Sequence, residues 1–240
     1  MTVFIVLAGV FALMFITILV WVIRVIKAVI TTFKEGQNVK YMNFRKQNEF
    51  ARHGQTVFSG NSITEQYPVE EWFGEYTAKT GQRVYNRGVG GEVSAGLLKQ
   101  YPDVVLPLEP STIVLLVGTN DLAMGVKETE IIKNISEVIR ITKARLPDTK
   151  IILQAVYPVN PSKAVKEIRF LPGQKRTNGK IDSLNIALEA LAKEWKIIWV
   201  DTTGKLRDRS GLLKSEYSPD GLHLNAEGYA VISAALSVVL

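Results

Sequence analysis

The sequence predicts a three-layer α/β domain with a parallel sheet, preceded by one membrane-spanning helix. Two observations support this prediction. Short apolar, strand-like runs alternate with helical patterns through residues 55–240, which is typical of a parallel sheet covered by helices on both faces. Residues 3–23 carry no charge and would span a bilayer as a helix. With 240 residues, the chain has room for one domain plus an appendage.

Five segments are predicted to be the strands of the sheet, and they are residues 56–59, 83–86, 112–117, 150–156 and 197–200. The third segment, TIVLLV, is strongly apolar, as expected for a strand that is buried on both faces. Helical periodicity marks residues 69–79, 128–145, 180–194 and 226–239. We therefore expect a five-stranded parallel sheet in a flavodoxin-like arrangement.

The N-terminal region is predicted to be a transmembrane anchor over residues 1–30 and a basic juxtamembrane linker over residues 31–54, followed by the α/β domain over residues 55–240. A buried core helix would show a polar stripe, which residues 3–23 lack. A cleaved signal peptide would carry positive charge before the apolar run and small residues after it. Arg24 and Lys27 instead follow the run. These features favour a retained anchor.

The basic charge of the chain is concentrated beside the apolar run. Residues 1–54 hold seven Lys or Arg and two acidic residues, whereas the whole chain has a formal net charge of +6. We therefore expect the charge to meet anionic lipid head groups, and we expect no nucleic-acid partner. The absence of cysteine excludes disulfides and thiolate sites, and two histidines make a zinc site improbable. We expect neither a metal nor another cofactor, and the sequence leaves the oligomeric state open.

Four polar clusters follow predicted strands or precede the last helix. They are residues 60–62, 88–92, 118–121 and 220–223. In open α/β sheets, ligands bind outside the carboxyl ends of the strands. We therefore expect these clusters to meet at one edge of the sheet.

The clusters carry the groups that acyl transfer needs. A serine hydroxyl such as Ser62 becomes nucleophilic when a neighbouring base takes its proton, and His223 is the candidate base. Asp220 lies three residues before His223 and can orient the imidazole. The backbone N–H groups of Ser62 and Gly91 and the side-chain amide of Asn120 are candidate oxyanion donors. The serine segment lacks the second glycine of G-x-S-x-G, which disfavours an α/β-hydrolase fold.

Four segments resemble the sequence blocks of SGNH (GDSL-like) hydrolases, in matching order and spacing: FSGNSIT (58–64), NRGVGGE (86–92), VGTND (117–121) and DGLH (220–223). Within that class the chain resembles bacterial lipase/acylhydrolases that are similar to platelet-activating-factor acetylhydrolase subunits. The resemblance implies a Ser62–His223–Asp220 triad with Gly91 and Asn120 as oxyanion donors. The first block commonly reads Gly-Asp-Ser, whereas Asn61 stands at the aspartate position here.

The resemblance implies hydrolysis of acyl or acetyl esters, with a small-molecule or lipid ester as the substrate. Two alternatives stay open. The domain could be a catalytically silent member of the class that binds a glycan or a lipid, or the chain could be a membrane-tethered scaffold. Retention of all the residues named above argues against both alternatives.

The stretch from residue 158 to residue 180 carries six basic residues and one acidic residue. It follows the fourth predicted strand and should therefore lie at the same edge of the sheet. One interpretation is a lid in which Lys163, Lys166 and Arg169 attract an anionic substrate or lipid head group. The alternative is an ordinary solvated loop, which most charge runs are.

The charges around the apolar run also predict the side of the membrane on which the domain lies. Short flanks rich in Lys and Arg stay in the cytoplasm. No Lys or Arg precedes the run, and six follow it closely: Arg24, Lys27, Lys34, Lys40, Arg45 and Lys46. We therefore expect a cytoplasmic domain, although many tethered enzymes of the resembled class act outside the cell.

Protease treatment of intact cells that express the chain with a C-terminal tag will test this orientation. The tag should survive in intact cells and be digested after lysis. A cytoplasmic marker protein, followed in the same samples, reports whether the cells stayed closed. Digestion of the tag while the marker survives would place the domain outside the cell.

Overall fold

The computed structural model describes residues 2–163 and 175–240 and divides the chain into two compact units, Met1–Asn43 and Phe44–Leu240. The first unit is formed by α1 (Thr2–Asn48), whose last residues belong to the second unit. Among the described residues, α1 is the one helix long and apolar enough to cross a membrane. The expected apolar helix is therefore present, and it continues through residues 31–48, where we expected the linker.

The second unit contains the predicted five-stranded parallel sheet, in the order β2-β1-β3-β4-β5. The strands are β1 (Thr56–Gly60), β2 (Val84–Gly88), β3 (Thr112–Leu116), β4 (Lys150–Gln154) and β5 (Ile198–Val200). β1 and β3 are buried along their whole length, whereas β2 and β5 at the edges are partly exposed. The fold class predicted from the sequence is confirmed.

Helices cover both faces of this sheet, and the described ones are α2 (Ser62–Glu65), α3 (Val69–Trp72), α4 (Gly74–Thr80), α5 (Ser94–Val104), α6 (Thr119–Met124), α7 (Glu128–Arg145), α8 (Asn178–Trp195), α9 (Thr203–Leu206) and α10 (Ala226–Leu236). On one face, α5, α7 and α8 contact one another in sequence. On the other face, Phe58, Val114 and Ile152 of the sheet share a core with Ile232 and Leu236 of α10.

Two helical regions differ from the sequence prediction. The helix predicted over residues 69–79 is broken at Phe73, which is 1% exposed and packs its ring 5.4 Å from that of Phe58. The chain therefore turns at Phe73, where the ring is buried in the core. α5 was not predicted, because Gly96 and Pro102 both lower helix propensity. Its buried Leu97 and Tyr101 show that packing outweighs this local preference.

The end of α1 is bonded to the α/β domain, which is why the second unit begins before the predicted boundary at residue 55. Arg87 of β2 donates hydrogen bonds to Asn48 Oδ1 from Nε (3.2 Å) and Nη2 (2.9 Å). Its guanidinium also lies 5.0 Å from the centre of the Phe44 ring. Asn48 Nδ2 donates to the carbonyl of Val104 at 2.9 Å. Residues 44–48 are thereby fixed to the edge of the sheet at β2.

The carboxyl ends of the three strands nearest the predicted site are level with one another. Gly60 at the end of β1 is paired with Gly88 of β2 and Leu116 of β3. The chain order reverses direction between β1 and β3, and such a switch point is where open α/β sheets bind ligands. A Cβ atom on Gly88 would lie 2.3 Å from the backbone nitrogen of Glu65. Glycine at this position therefore lets α2 lie directly against the end of β2.

Candidate active site

Ser62 is the first residue of α2 and lies two residues beyond the end of β1. The side chain of Asn61 caps the helix, because its Oδ1 accepts a hydrogen bond from the N–H of Ile63 at 2.9 Å. Asn86 of β2 holds the other end of the turn by donating to the carbonyl of Thr64 at 2.6 Å. Contacts on both sides therefore fix the Ser62 backbone above the sheet.

The capping contact gives a physical reason why Asn61 can replace the usual aspartate. A helix N-cap needs an acceptor oxygen, and an amide oxygen provides one as a carboxylate does. Asn61 is 1% exposed, so its neutral side chain also avoids the cost of burying a charge. Its Nδ2 atom is buried and has no hydrogen-bond partner among the residues that the structure describes.

Ser62, His223 and Asp220 form a continuous series of hydrogen bonds. The Ser62 hydroxyl oxygen lies 2.9 Å from His223 Nε2, and His223 Nδ1 lies 2.6 Å from Asp220 Oδ2. An ionised carboxylate can only accept, so the imidazole proton is on Nδ1. Nε2 then has a free lone pair directed at the serine hydroxyl, which is the arrangement that removes a proton from serine.

The Asp220 carboxylate is held in its ionised form. Burial raises its pKa, but the hydrogen bond from the His223 side chain and the backbone N–H groups of His223 and Leu222 together lower it below its usual value. Those two N–H groups donate to Oδ1 at 2.8 and 2.9 Å. Oδ1 of the carboxylate therefore accepts from the backbone of its own loop, and Oδ2 accepts from the imidazole.

The loop that carries the imidazole is braced by the segment after β4. Gly221 has a φ of 80°, and its carbonyl accepts from the N–H of Asn160 at 2.8 Å. A Cβ atom on Gly221 would lie 2.1 Å from the Asn160 carbonyl oxygen, so glycine is needed for this contact. Lys163 Nζ donates to the carbonyls of Ser215 (2.7 Å) and Ser218 (3.3 Å). Asn160 and Lys163 thus support the approach to Asp220.

Lys163 was expected to bind an anionic substrate together with Lys166 and Arg169. Its ammonium group has two backbone acceptors, which indicates a bracing contact. Lys166 and Arg169 lie outside the described residues. The assignment of all three residues to substrate binding stays a prediction.

The predicted oxyanion donors lie at the ends of β1, β2 and β3. Gly91 follows β2 in a turn with a φ of 71°, a conformation that favours glycine. Asn120 follows β3 in the first turn of α6, and its Nδ2 donates to the carbonyl of Glu92 at 2.9 Å. This bond places the Asn120 amide beside Gly91. Neither Gly91 nor Ser62 donates a backbone hydrogen bond within the described part of the chain.

Two buried carboxyl groups behind this turn were not predicted from the sequence. Asp121 accepts from both the N–H (3.0 Å) and the hydroxyl (2.6 Å) of Ser94, and Asn134 Nδ2 donates to the same hydroxyl at 3.0 Å. Glu92 accepts from the N–H of Val93 at 3.1 Å. These bonds tie the turns after β2 and β3 to α5 and α7. Both acids lie inside the segments NRGVGGE and VGTND, but nothing in the spacing indicates their partners.

The pKa values of both acids are raised. Burial raises the pKa of Glu92 to about 7, the Val93 N–H opposes this rise, and nearby Asp121 adds to it. Burial also raises the pKa of Asp121, against the hydrogen bonds from Ser94. Within residues 2–163 and 175–240, no cluster of three or more His, Asp or Glu side chains could hold a metal ion.

Comparison with known proteins agrees with the fold. Residues 58–231 match the model of the GDSL-like lipase/acylhydrolase family. No curated protein matches the chain. Among solved structures, a Streptococcus pneumoniae protein described as a platelet activating factor is similar, with 29% identity and a TM-score of 0.80 over 89% of this chain and 97% of that one.

Two Bacteroides structures are also similar. A GDSL-like lipase from Bacteroides thetaiotaomicron has 27% identity and a TM-score of 0.70, covering 83% of this chain and 96% of that one. An acylhydrolase from Bacteroides fragilis has 28% identity and a TM-score of 0.70, covering 82% of this chain and 94% of that one.

The raised pKa of Glu92 predicts a pH-dependent stability. The free carboxyl has a pKa near 4.5, so between about pH 4.5 and 7 the folded chain holds a proton that the unfolded chain has released. The free energy of unfolding should therefore fall as pH rises from about 5 to 8. In Glu92→Gln this fall should be smaller.

Thermal unfolding midpoints of the full-length protein in detergent, measured between pH 5 and 8, will test this. Glu194→Gln removes an exposed carboxylate and should leave the slope of the wild-type protein unchanged. An identical slope in Glu92→Gln and the wild-type protein would contradict the prediction.

Proposed function

Because this chain belongs to the GDSL-like lipase/acylhydrolase family, we propose that it is a membrane-anchored serine esterase that cleaves carboxylic esters with Ser62 as nucleophile. The observation that carries the proposal is the hydrogen-bonded series from the Ser62 hydroxyl through His223 to Asp220. Family membership makes the chain a hydrolase, and this series supports Ser62, His223 and Asp220 as its catalytic groups.

Hydrolysis proceeds in two steps. In the first, the Ser62 oxygen attacks the ester carbonyl carbon while His223 Nε2 takes the hydroxyl proton, and the alcohol leaves with that proton as the C–O bond breaks. In the second, His223 removes a proton from water and the resulting hydroxide attacks the acyl-enzyme. The bond between the acyl carbon and the Ser62 oxygen then breaks, His223 returns the proton to Ser62, and the acid is released. Asp220 stabilises the imidazolium that forms in each step and keeps Nε2 directed at Ser62.

The negative oxygen of each tetrahedral intermediate is bound by three donors. These are the backbone N–H groups of Ser62 and Gly91 and the Asn120 amide. The bond from Asn120 to the carbonyl of Glu92 uses one hydrogen of the amide and leaves the second for the substrate. Buried Glu92 and Asp121 hold the two turns that present these donors, so the donors are in place before the charge develops.

The silent-binder and scaffold alternatives have less support. A protein that only binds a glycan or lipid has no need for a base within hydrogen-bond distance of a serine or for a carboxylate that orients the base. The proposal includes an anchor at residues 3–23, a juxtamembrane segment and the α/β domain from about residue 55. The domain faces the cytoplasm, as the six basic residues after the apolar run favour. The substrate is a small-molecule or lipid ester.

Ser62→Ala and His223→Ala should each lower kcat for 4-nitrophenyl acetate by roughly 10⁴-fold or more in the full-length protein in detergent. The double variant should be no less active than either single variant, because the two groups act as one unit. Steady-state kinetics measures these losses, and a fluorophosphonate probe should label the wild-type protein but not Ser62→Ala.

Two matched variants control for the loss of a serine or a histidine at other positions. Ser237→Ala removes an exposed serine, and His53→Ala removes the other histidine, which is exposed and contacts Glu109 at 3.5 Å. Both should keep wild-type kinetics. Undiminished turnover by Ser62→Ala would rule out the proposed mechanism.

Asn120→Ala should lower kcat by about 10²–10³ with little change in KM, because the amide binds the oxyanion in the transition state and not the ester in the ground state. Asn120→Asp keeps the shape of the side chain but removes the donor, so it should be at least as impaired. An effect on KM alone would assign Asn120 to substrate binding. Thermal unfolding of both variants checks that the fold is retained.

A further inference from the structure

Arg176 brings a positive charge to the edge of the sheet where the proposed catalytic groups lie. It belongs to the segment just before α8, and its Nη1 donates to both the carbonyl and the hydroxyl of Thr119 at 3.1 Å. Thr119 directly precedes Asn120, the proposed oxyanion donor. The guanidinium is therefore bonded to the turn that carries Asn120.

A second observation places Arg176 near the loop of the catalytic base. Burial lowers the pKa of Arg176, and the negative charge of Asp220 is the electrostatic contact that opposes this change. A guanidinium stays charged in proteins, so the charge is present at neutral pH. Arg176 is thus bonded to the Asn120 turn and lies within electrostatic range of Asp220.

Among the described residues, this cation has no direct partner for its charge. Within residues 2–163 and 175–240, no carboxylate forms an ion pair with Arg176, and its Nε and Nη2 hydrogens have no acceptor. Other basic groups nearby are used differently, since Lys163 donates to two carbonyls and Arg207 pairs with Asp182. A partly buried cation without an ion-pair partner is costly, unless it receives an anion from elsewhere.

We infer that Arg176 binds an oxyanion group, a carboxylate or a phosphate, on the substrate beside the ester that is cleaved. This inference rests on the proposed esterase function and adds a substrate class to it. The free Nε and Nη2 hydrogens of the guanidinium match the geometry of two oxygens of one anion. The preferred substrates are therefore anionic esters, and Arg176 is the residue that distinguishes them from neutral esters.

The test compares matched pairs of esters with full-length protein in detergent. 1-Butyrylglycerol 3-phosphate against 1-butyrylglycerol places the anion on the alcohol side of the ester. The 4-nitrophenyl monoester of glutaric acid against 4-nitrophenyl butyrate places it on the acyl side. In at least one pair, the wild-type protein should have the higher kcat/KM for the anionic ester. Arg176→Gln should reduce that preference by about 10- to 100-fold, the effect of losing hydrogen bonds to a charged group.

Two further variants make the comparison specific. Lys175→Gln removes the same charge one residue away, where the side chain lies over Gly125, and it should keep the wild-type preference. Arg176→Lys retains the charge but loses the bidentate hydrogen-bond geometry. It should therefore keep more of the preference for anionic esters than Arg176→Gln does. Equal losses for anionic and neutral esters in Arg176→Gln would show that Arg176 only positions the Thr119 turn. The same loss of preference in Lys175→Gln would show that the general positive potential of this region, and not a contact with Arg176, selects anionic esters. Either result overturns the inference.

A binding measurement separates this inference from the esterase proposal. In the Ser62→Ala protein, calorimetry should give a lower Kd for at least one anionic ester, 1-butyrylglycerol 3-phosphate or the glutaric monoester, than for its neutral counterpart. Adding Arg176→Gln to this protein should remove the difference in Kd. If the wild-type protein cleaves no ester but this Arg176-dependent binding remains, the anion site stands and the esterase proposal fails. Cleavage without any preference for anionic esters would leave the esterase and overturn the anion site.

Discussion

The parallel register of β1 with its two neighbours is the constraint on which the site depends. Gly60, Gly88 and Leu116 are paired at the ends of their strands. The three turns that follow these strands therefore begin side by side at the same edge of the sheet. Each turn places one of the proposed site residues, Ser62, Gly91 or Asn120, within a few residues of its strand end. No long loop is needed to bring them together. A shift of one residue in either pairing would turn alternate side chains to the opposite face and separate these turns.

The turns at this edge are rigid because they support one another instead of relying on the sheet alone. Asn86 bonds β2 to the turn of α2, Asn120 bonds the turn after β3 to the carbonyl of Glu92, and Asp121 joins that turn to Ser94 of α5. The loop with Asp220 and His223 comes from the far end of the chain and is held through Gly221 by Asn160. Preorganisation of this kind is what electrostatic stabilisation of a transition state requires.

The sequence predicted the strands, their parallel arrangement and the meeting of the four polar clusters, because apolar periodicity and chain order determine these features. It did not predict the break at Phe73 or helix α5, since burial of single aromatic and aliphatic side chains decided both. The contact between Asp121 and Ser94 crosses 27 residues and leaves no periodic signal. The basic stretch 158–180 was visible as charge, but the bond from Arg176 to the Thr119 turn depends on the path of the chain and has no sequence signal.

The distance along the chain between Ser62 and His223 has a consequence for biosynthesis. The two residues are separated by 161 positions, although their side chains are bonded at 2.9 Å. A ribosome that adds about 5–20 residues per second needs roughly 10–30 s to translate that interval. With these residues in their proposed roles, the nascent polypeptide carries a serine without its base throughout this time. The enzyme is therefore inert towards cellular esters during translation, and activity begins only when the last loop has left the ribosome and folded back.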